Sequence, residues 1–135
     1  MKEDLIRVIA IDGPSGSGKG TLSFLLSQSL SWNVLDSGAI YRALAYSCHS
    51  NNVDLLDQDK VVKLANDLKV YFKTDQKGEI RSIYQGIDIS NIIRTEESGK
   101  SASKIASMPR VRDALILQQQ NFRKAPGLIA DGRDM

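Results

Sequence analysis

The stretch Ile9-Ala10-Ile11-Asp12-Gly13-Pro14-Ser15-Gly16-Ser17-Gly18-Lys19-Gly20-Thr21 constrains the fold more than any other. It reads as a short buried strand, a glycine-rich loop and a helix start. Such a loop points successive backbone N–H groups into one concavity at a helix N-terminus, and both features favour a phosphate group. Glycine serves where the backbone turns with positive φ or lies too close to a ligand for a Cβ. Lys19 adds a mobile positive charge for β- and γ-phosphates. Against the pattern G-x-x-x-x-G-K-[ST], Gly13, Gly18 and Lys19 fit, whereas Gly20 stands where Ser or Thr is expected and Thr21 follows one place late. That departure reads Thr21 as a partner of a phosphate oxygen, with Mg²⁺ held by phosphates, water and a carboxylate. The plainer reading is a Gly/Ser turn with a surface lysine; the strand before and the helix after argue against it.

The 135 residues suffice for one core, or one domain with an insertion. A composition of 41% hydrophobic and 25% charged residues is that of an ordinary globular protein. The net charge of +2 is too weak to imply nucleic acid or a membrane surface. Cys48, the one cysteine, permits no internal disulfide and no metal-site spacing, which fits a reducing cytoplasm. No apolar run reaches membrane-spanning length, and Met1-Lys2-Glu3-Asp4 does not open a signal peptide.

Leu5 to Ile11 is expected to be a central strand of a parallel sheet. The next helix is expected to bury Leu22, Leu25, Leu26 and Leu30. Trp32 to Leu35 forms a second strand running into Asp36 and Ser37, which the strand-end rule for parallel α/β sheets puts near the phosphate loop. Ser37 is read as the cap of a helix whose inner face is Ile40, Ala43, Leu44 and Cys48. Tyr41 and Arg42 follow, and an arginine near a helix start is opposed by the macrodipole, so it suits an anion better than the helix; a plain surface arginine is the alternative. Asp57 caps a further helix with Val61, Leu64, Ala65 and Leu68 in register. The period then changes to two, and turns at 75–78 and 85–86 mark an antiparallel meander of three strands. Thr95 caps a helix with Ala102, Ile105 and Ala106 inward and Ser103 one position round. Pro109 opens another, lined by Val111, Leu115 and Phe122, with Arg110 and Arg112 in its first turn. Leu128-Ile129-Ala130 is a short strand ending at Asp131, a position suited to a carboxylate that holds Mg²⁺ or its water. The chain stops at Met135 directly after that strand, from which a truncated chain or part of a longer protein is expected.

These segments together resemble the bacterial cytidylate kinase family. The resemblance is carried by residues 11–21, Leu35-Asp36-Ser37-Gly38-Ala39-Ile40-Tyr41-Arg42, Ile93-Arg94-Thr95, Pro109-Arg110-Val111-Arg112 and Gly127-Leu128-Ile129-Ala130-Asp131-Gly132-Arg133-Asp134-Met135. It implies a parallel α/β sheet of the phosphate-loop NTPase type with flanking helices. The core would be residues 1–36 and 109–135, and residues 37–108 would form a nucleotide-monophosphate-binding insertion with the antiparallel sheet. It implies transfer of the ATP γ-phosphoryl group to CMP or dCMP with Mg²⁺. Gly13, Pro14, Ser15, Gly16, Ser17, Gly18, Lys19, Gly20 and Thr21 would bind ATP phosphates. Ser37, Tyr41, Arg42, Ser103, Arg112, Arg133 and Asp134 would bind CMP, with Lys19 and Arg133 catalytic and Asp36 or Asp131 holding the metal through water. The arginines would hold the acceptor phosphate, while Ser103, Arg112 and Asp134 would read the base. A monomeric cytoplasmic enzyme of pyrimidine metabolism is expected, with neither nucleic acid nor membrane as partner. The lid that closes over ATP in this family is absent from these residues, so the chain alone is expected to show little activity. Two alternatives remain: another small-molecule kinase such as shikimate kinase, which would lack the meander, and a fragment that binds nucleotide without turnover.

Overall fold

A computed structural model describes residues 6–12 and 19–132, with Lys19 and Gly20 described in their helical backbone alone. Two sheets organise it, one parallel and one antiparallel, each of three strands among the described residues. The parallel sheet runs in the order β1 (Val8–Ile11), β6 (Leu128–Asp131), β2 (Asn33–Asp36). Ile11 and Asp36 both stand opposite Asp131, so the three carboxyl ends are level. The expected central position of the first strand is therefore corrected. Among the described residues β1 pairs with β6 alone, and β6 is central with all four residues buried. An unbroken apolar run suits a strand covered on both faces, whereas β1 leaves Ala10 exposed.

The helices show where local pattern suffices. In α2 (Ser37–Ser50), Ile40, Ala43, Leu44 and Cys48 are fully buried, as their helical spacing predicts. α3 (Gln58–Asn66) is capped by Asp57, which accepts from the Lys60 N–H at 3.3 Å. A short turn of helix, α4 (Ser90–Ile93), precedes α5 (Glu96–Ala106), and Thr95 caps α5 by accepting from the Ser98 N–H. Ala102 and Ile105 of α5 are buried, and α6 (Pro109–Gln120) buries Val111 and Leu115. α2 packs on α5, and α3 on α6.

Helix α1 (Lys19–Leu30) overturns one expectation. Leu22, Leu25 and Leu30 are 48%, 58% and 39% exposed, while Ser23 and Ser27 are buried. α1 lies against β6, and small residues let a helix approach a sheet closely. The Ser27 hydroxyl donates to the Phe24 carbonyl at 2.9 Å, which satisfies it in that position.

β3 (Val70–Thr74), β4 (Ile80–Tyr84) and β5 (Ile87–Asp88) form the expected meander. Val70 and Phe72 face inward and Tyr71 and Lys73 outward, the period of two. Gln85 and Gly86 between β4 and β5 both have positive φ, 50° and 79°, as a tight two-residue hairpin turn requires. β3 lies beside β2, yet the two belong to separate sheets.

Candidate acceptor-nucleotide site

The level carboxyl ends of β1, β6 and β2 set the place where a ligand meets a parallel sheet. The helix that opens at Lys19 begins at this end, and residues 13–18 join it to β1. The phosphate-loop residues Gly13, Pro14, Ser15, Gly16, Ser17 and Gly18, the side chains of Lys19 and Gly20, and Arg133 and Asp134 lie outside the description. Thr21 is exposed in the first turn of α1.

At the end of β2 the sequence assigned the helix cap to Ser37; the structure assigns it to Asp36. The Asp36 Oδ1 accepts from the Ala39 N–H at 3.1 Å, and Ser37 is already helical. Asp36 has the extended backbone that a cap needs. Ser37 is thereby released for another bond, its hydroxyl donating to the Asp131 carbonyl at 3.1 Å inside the protein. This bond ties the start of α2 to the end of β6. Gly132 makes it possible: its φ is +127°, and a Cβ there would run into the Ser37 hydroxyl.

Arg42 lies a turn and a half further along α2. Its Nη1 donates to the carbonyls of Ile93 at 2.6 Å and Thr95 at 3.1 Å. The guanidinium lies over Gly99 of α5, where a Cβ would come within 2.8 Å of Nη2. A cleft of about 490 Å³ opens here, lined among others by Asp36, Gly38, Arg42, Arg94 and Asp131. On its other side Arg42 joins Gly99 and Ser103 in lining a shallow groove. Arg42 thus links a polar cleft at the strand ends to the surface that carries Ser103.

The remaining expected residues are placed less directly. Tyr41 is buried in the core at 8% exposure, and Arg112 is exposed on α6. Arg110, two residues before Arg112, pairs with Asp59 at 2.7 Å. Arg94 is a cleft residue to which the sequence pattern assigned no role; the signal available was a cation directly ahead of the cap Thr95. Cys48 is not a nucleophile in waiting, since burial pushes its thiol up to about 11.

The carboxylates at the strand ends suit a hard cation in part. Asp36 and Asp131 are register partners lining one cleft, and Mg²⁺ is commonly held by one or two carboxylates together with phosphates and water. Among the described residues no group of three or more His, Cys, Asp or Glu could hold a metal unaided. No helix among them is long and apolar enough to cross a membrane.

Comparison with known proteins gives one consistent result. A family model described as cytidylate kinase matches residues 9–135. A cytidylate kinase of Pseudomonas putida is 53% identical over 129 residues, covering 95% of this chain and 57% of that protein. One from Aeromonas hydrophila is 54% identical over 128 residues, covering 95% and 55%. One from Yersinia pestis shows the same 54%, 95% and 55%. The chain spans a little over half the length of the curated relatives it matches.

Proposed function

Because this chain belongs to the cytidylate kinase family, we propose that it serves transfer of the ATP γ-phosphoryl group to CMP or dCMP and supplies the acceptor side of that site. The observation that carries the reading is the cleft between the strand ends and α2, which Arg42, Asp36 and Asp131 line together. An oxygen of the acceptor phosphate attacks the γ-phosphorus, the bond to the β–γ bridging oxygen breaks, and ADP leaves with that electron pair. The attacking phosphate is anionic at neutral pH, so the reaction needs positioning and positive charge more than a protein base. Arg42 holds the acceptor phosphate with Arg133, while residues 13–21 cradle the donor phosphates and Lys19 meets the charge that develops there. Asp36 or Asp131 would hold Mg²⁺ through water. When bound, the ion neutralises charge on the donor phosphates.

Base choice is assigned to Ser103, Arg112 and Asp134. Cytosine offers an amino donor, which a carboxylate accepts, and ring acceptors, which a guanidinium serves. Uracil presents a carbonyl in place of the amino group and leaves Asp134 unpaired, at a cost of about 1–3 kcal/mol. Residues 37–108 act as the acceptor-binding insertion, and the protein works as a cytoplasmic monomer in pyrimidine nucleotide metabolism. A second reading, binding without turnover, applies to this chain alone and rests on its covering 57% of the Pseudomonas putida relative.

The test is a coupled assay with CMP, dCMP, UMP and AMP on the full-length protein, beside calorimetry with CMP and cytidine on both lengths. Arg42→Ala is expected to weaken CMP by about tenfold or more, the worth of a charge-assisted phosphate bond. Equal affinity for CMP and cytidine, or turnover of AMP above CMP, would overturn the reading.

A further inference from the structure

Arg94 stands at the rim of the cleft, at the C-cap of α4, with its side chain 49% exposed. Its Nη2 lies 3.2 Å from Glu79 Oε2, next to β4. That same oxygen is 3.4 Å from Arg81 Nη1. Arg81 has a better partner, since its Nε donates to Asp88 Oδ2 at 3.0 Å. Asp88 Oδ1 in turn accepts from the Ser90 N–H at 2.9 Å. The order of charges is therefore Arg94, Glu79, Arg81, Asp88. Among the described residues Glu79 is the one carboxylate within ion-pair distance of Arg94.

We propose that Arg94 is a further phosphate-holding residue of the acceptor site and that Glu79 is its resting counter-ion, displaced by the incoming phosphate. The inference rests on the acceptor-site reading above. Three observations favour the exchange. The Arg94–Glu79 pair is half exposed at both ends, and solvent-screened pairs of this kind contribute little. A planar guanidinium bonds phosphate through two parallel N–H groups, a stronger arrangement than the single contact made to Glu79. Glu79 is not stranded when Arg94 leaves, because Arg81 already stands beside it. Arg42 grips the carbonyls of Ile93 and Thr95, the two residues flanking Arg94. Arg42 is thus tied to the short segment that carries Arg94, and both residues line the cleft. Glu79 lowers acceptor affinity by competing for Arg94 and keeps that cation occupied when no nucleotide is bound.

The experiment is calorimetric titration of CMP and of cytidine into the full-length protein, as parent, Glu79→Gln, Arg94→Ala and the double variant. Both positions are exposed, and circular dichroism verifies that each variant is folded. Glu79→Gln is expected to tighten CMP about two- to fivefold, the range of a screened ion pair. Arg94→Ala is expected to weaken CMP at least about tenfold. In the Arg94→Ala background Glu79→Gln should change nothing, and cytidine affinity should stay within about twofold throughout. Tightening that persists in the double variant, or CMP affinity indifferent to Arg94, overturns this inference while leaving the acceptor-site reading intact. A parent protein that binds CMP no better than cytidine overturns that reading, and this inference with it.

Discussion

Two adjacent glutamines of α6 should respond oppositely to the same substitution. Gln119 is fully buried, and neither amide atom has a hydrogen-bond partner among the described residues. It lies four residues after Leu115 on the face that carries Val111, Ala114 and Leu115. Gln118 donates from Nε2 to the carbonyls of Ala65 at 3.1 Å and Asn66 at 2.7 Å, satisfying the C-terminal end of α3. Methionine is unbranched and of similar length, and its helix propensity is close to that of glutamine, so backbone terms cancel. An unpaired amide buried in protein costs about 1–3 kcal/mol, and Gln119→Met removes that cost. Gln118→Met forfeits two bonds, one part-buried and one exposed, with a loss of about 0.5–1.5 kcal/mol. At roughly 3–5 °C per kcal/mol for a chain of this size, the melting points should separate by about 5–20 °C, the parent lying between them. Urea and thermal unfolding followed by far-UV circular dichroism measure this. Destabilisation by Gln119→Met would refute the reasoning, because it would mean that the buried amide is satisfied.

Gly132→Ala should destabilise by about 2 kcal/mol or more, since φ of +127° disfavours a side chain and the added carbon displaces the Ser37 hydroxyl; an unchanged urea midpoint would contradict this. Asp88 is held down to about 2 by the Ser90 hydroxyl and N–H and by Arg81. A carboxyl lowered on folding stabilises fully above its ordinary value near 3.8 and loses that contribution as pH falls toward about 2. Asp88→Asn should therefore flatten the stability profile between about pH 4 and 2, by less than about 1 kcal/mol because the group is partly exposed, and an unaltered slope in acid titrations would count against the bond. Cys48, with its thiol pushed up to about 11, should resist a thiol-reactive chromophore at pH 8 until the protein unfolds; rapid native labelling would show the site to be open.

What could be read from sequence depended on how far the deciding contact lay along the chain. The Asp57 and Thr95 caps need only a bond three residues away, and both were legible. The inner faces of α2 and α6 follow from spacing within one helix. α1 was misread because its leucines and serines offer two faces of comparable spacing, and the choice is made by β6, about a hundred residues later. The exchange of Ser37 for Asp36 as cap has the same origin: both residues cap well, and Ser37 is drawn off by the distant Asp131 carbonyl. Arg94, quoted only within the segment Ile93-Arg94-Thr95, received no role because the cleft it borders is built from β2, α2, β4, α4 and β6, which no local pattern brings together.

The middle strand of the parallel sheet is also the last of the three to be synthesised. β1 and β2 do not pair with each other, and each meets its described backbone partner only when Leu128–Asp131 arrives. On the ribosome both therefore emerge with open edges and wait while the chain up to β6 is made. The β3–β5 meander closes between sequence neighbours, so its loop entropy is small and its pairing is early. The meander needs no residue beyond Asp88 for its pairing, whereas the ends of β1, β6 and β2 come level only once Leu128–Asp131 is present.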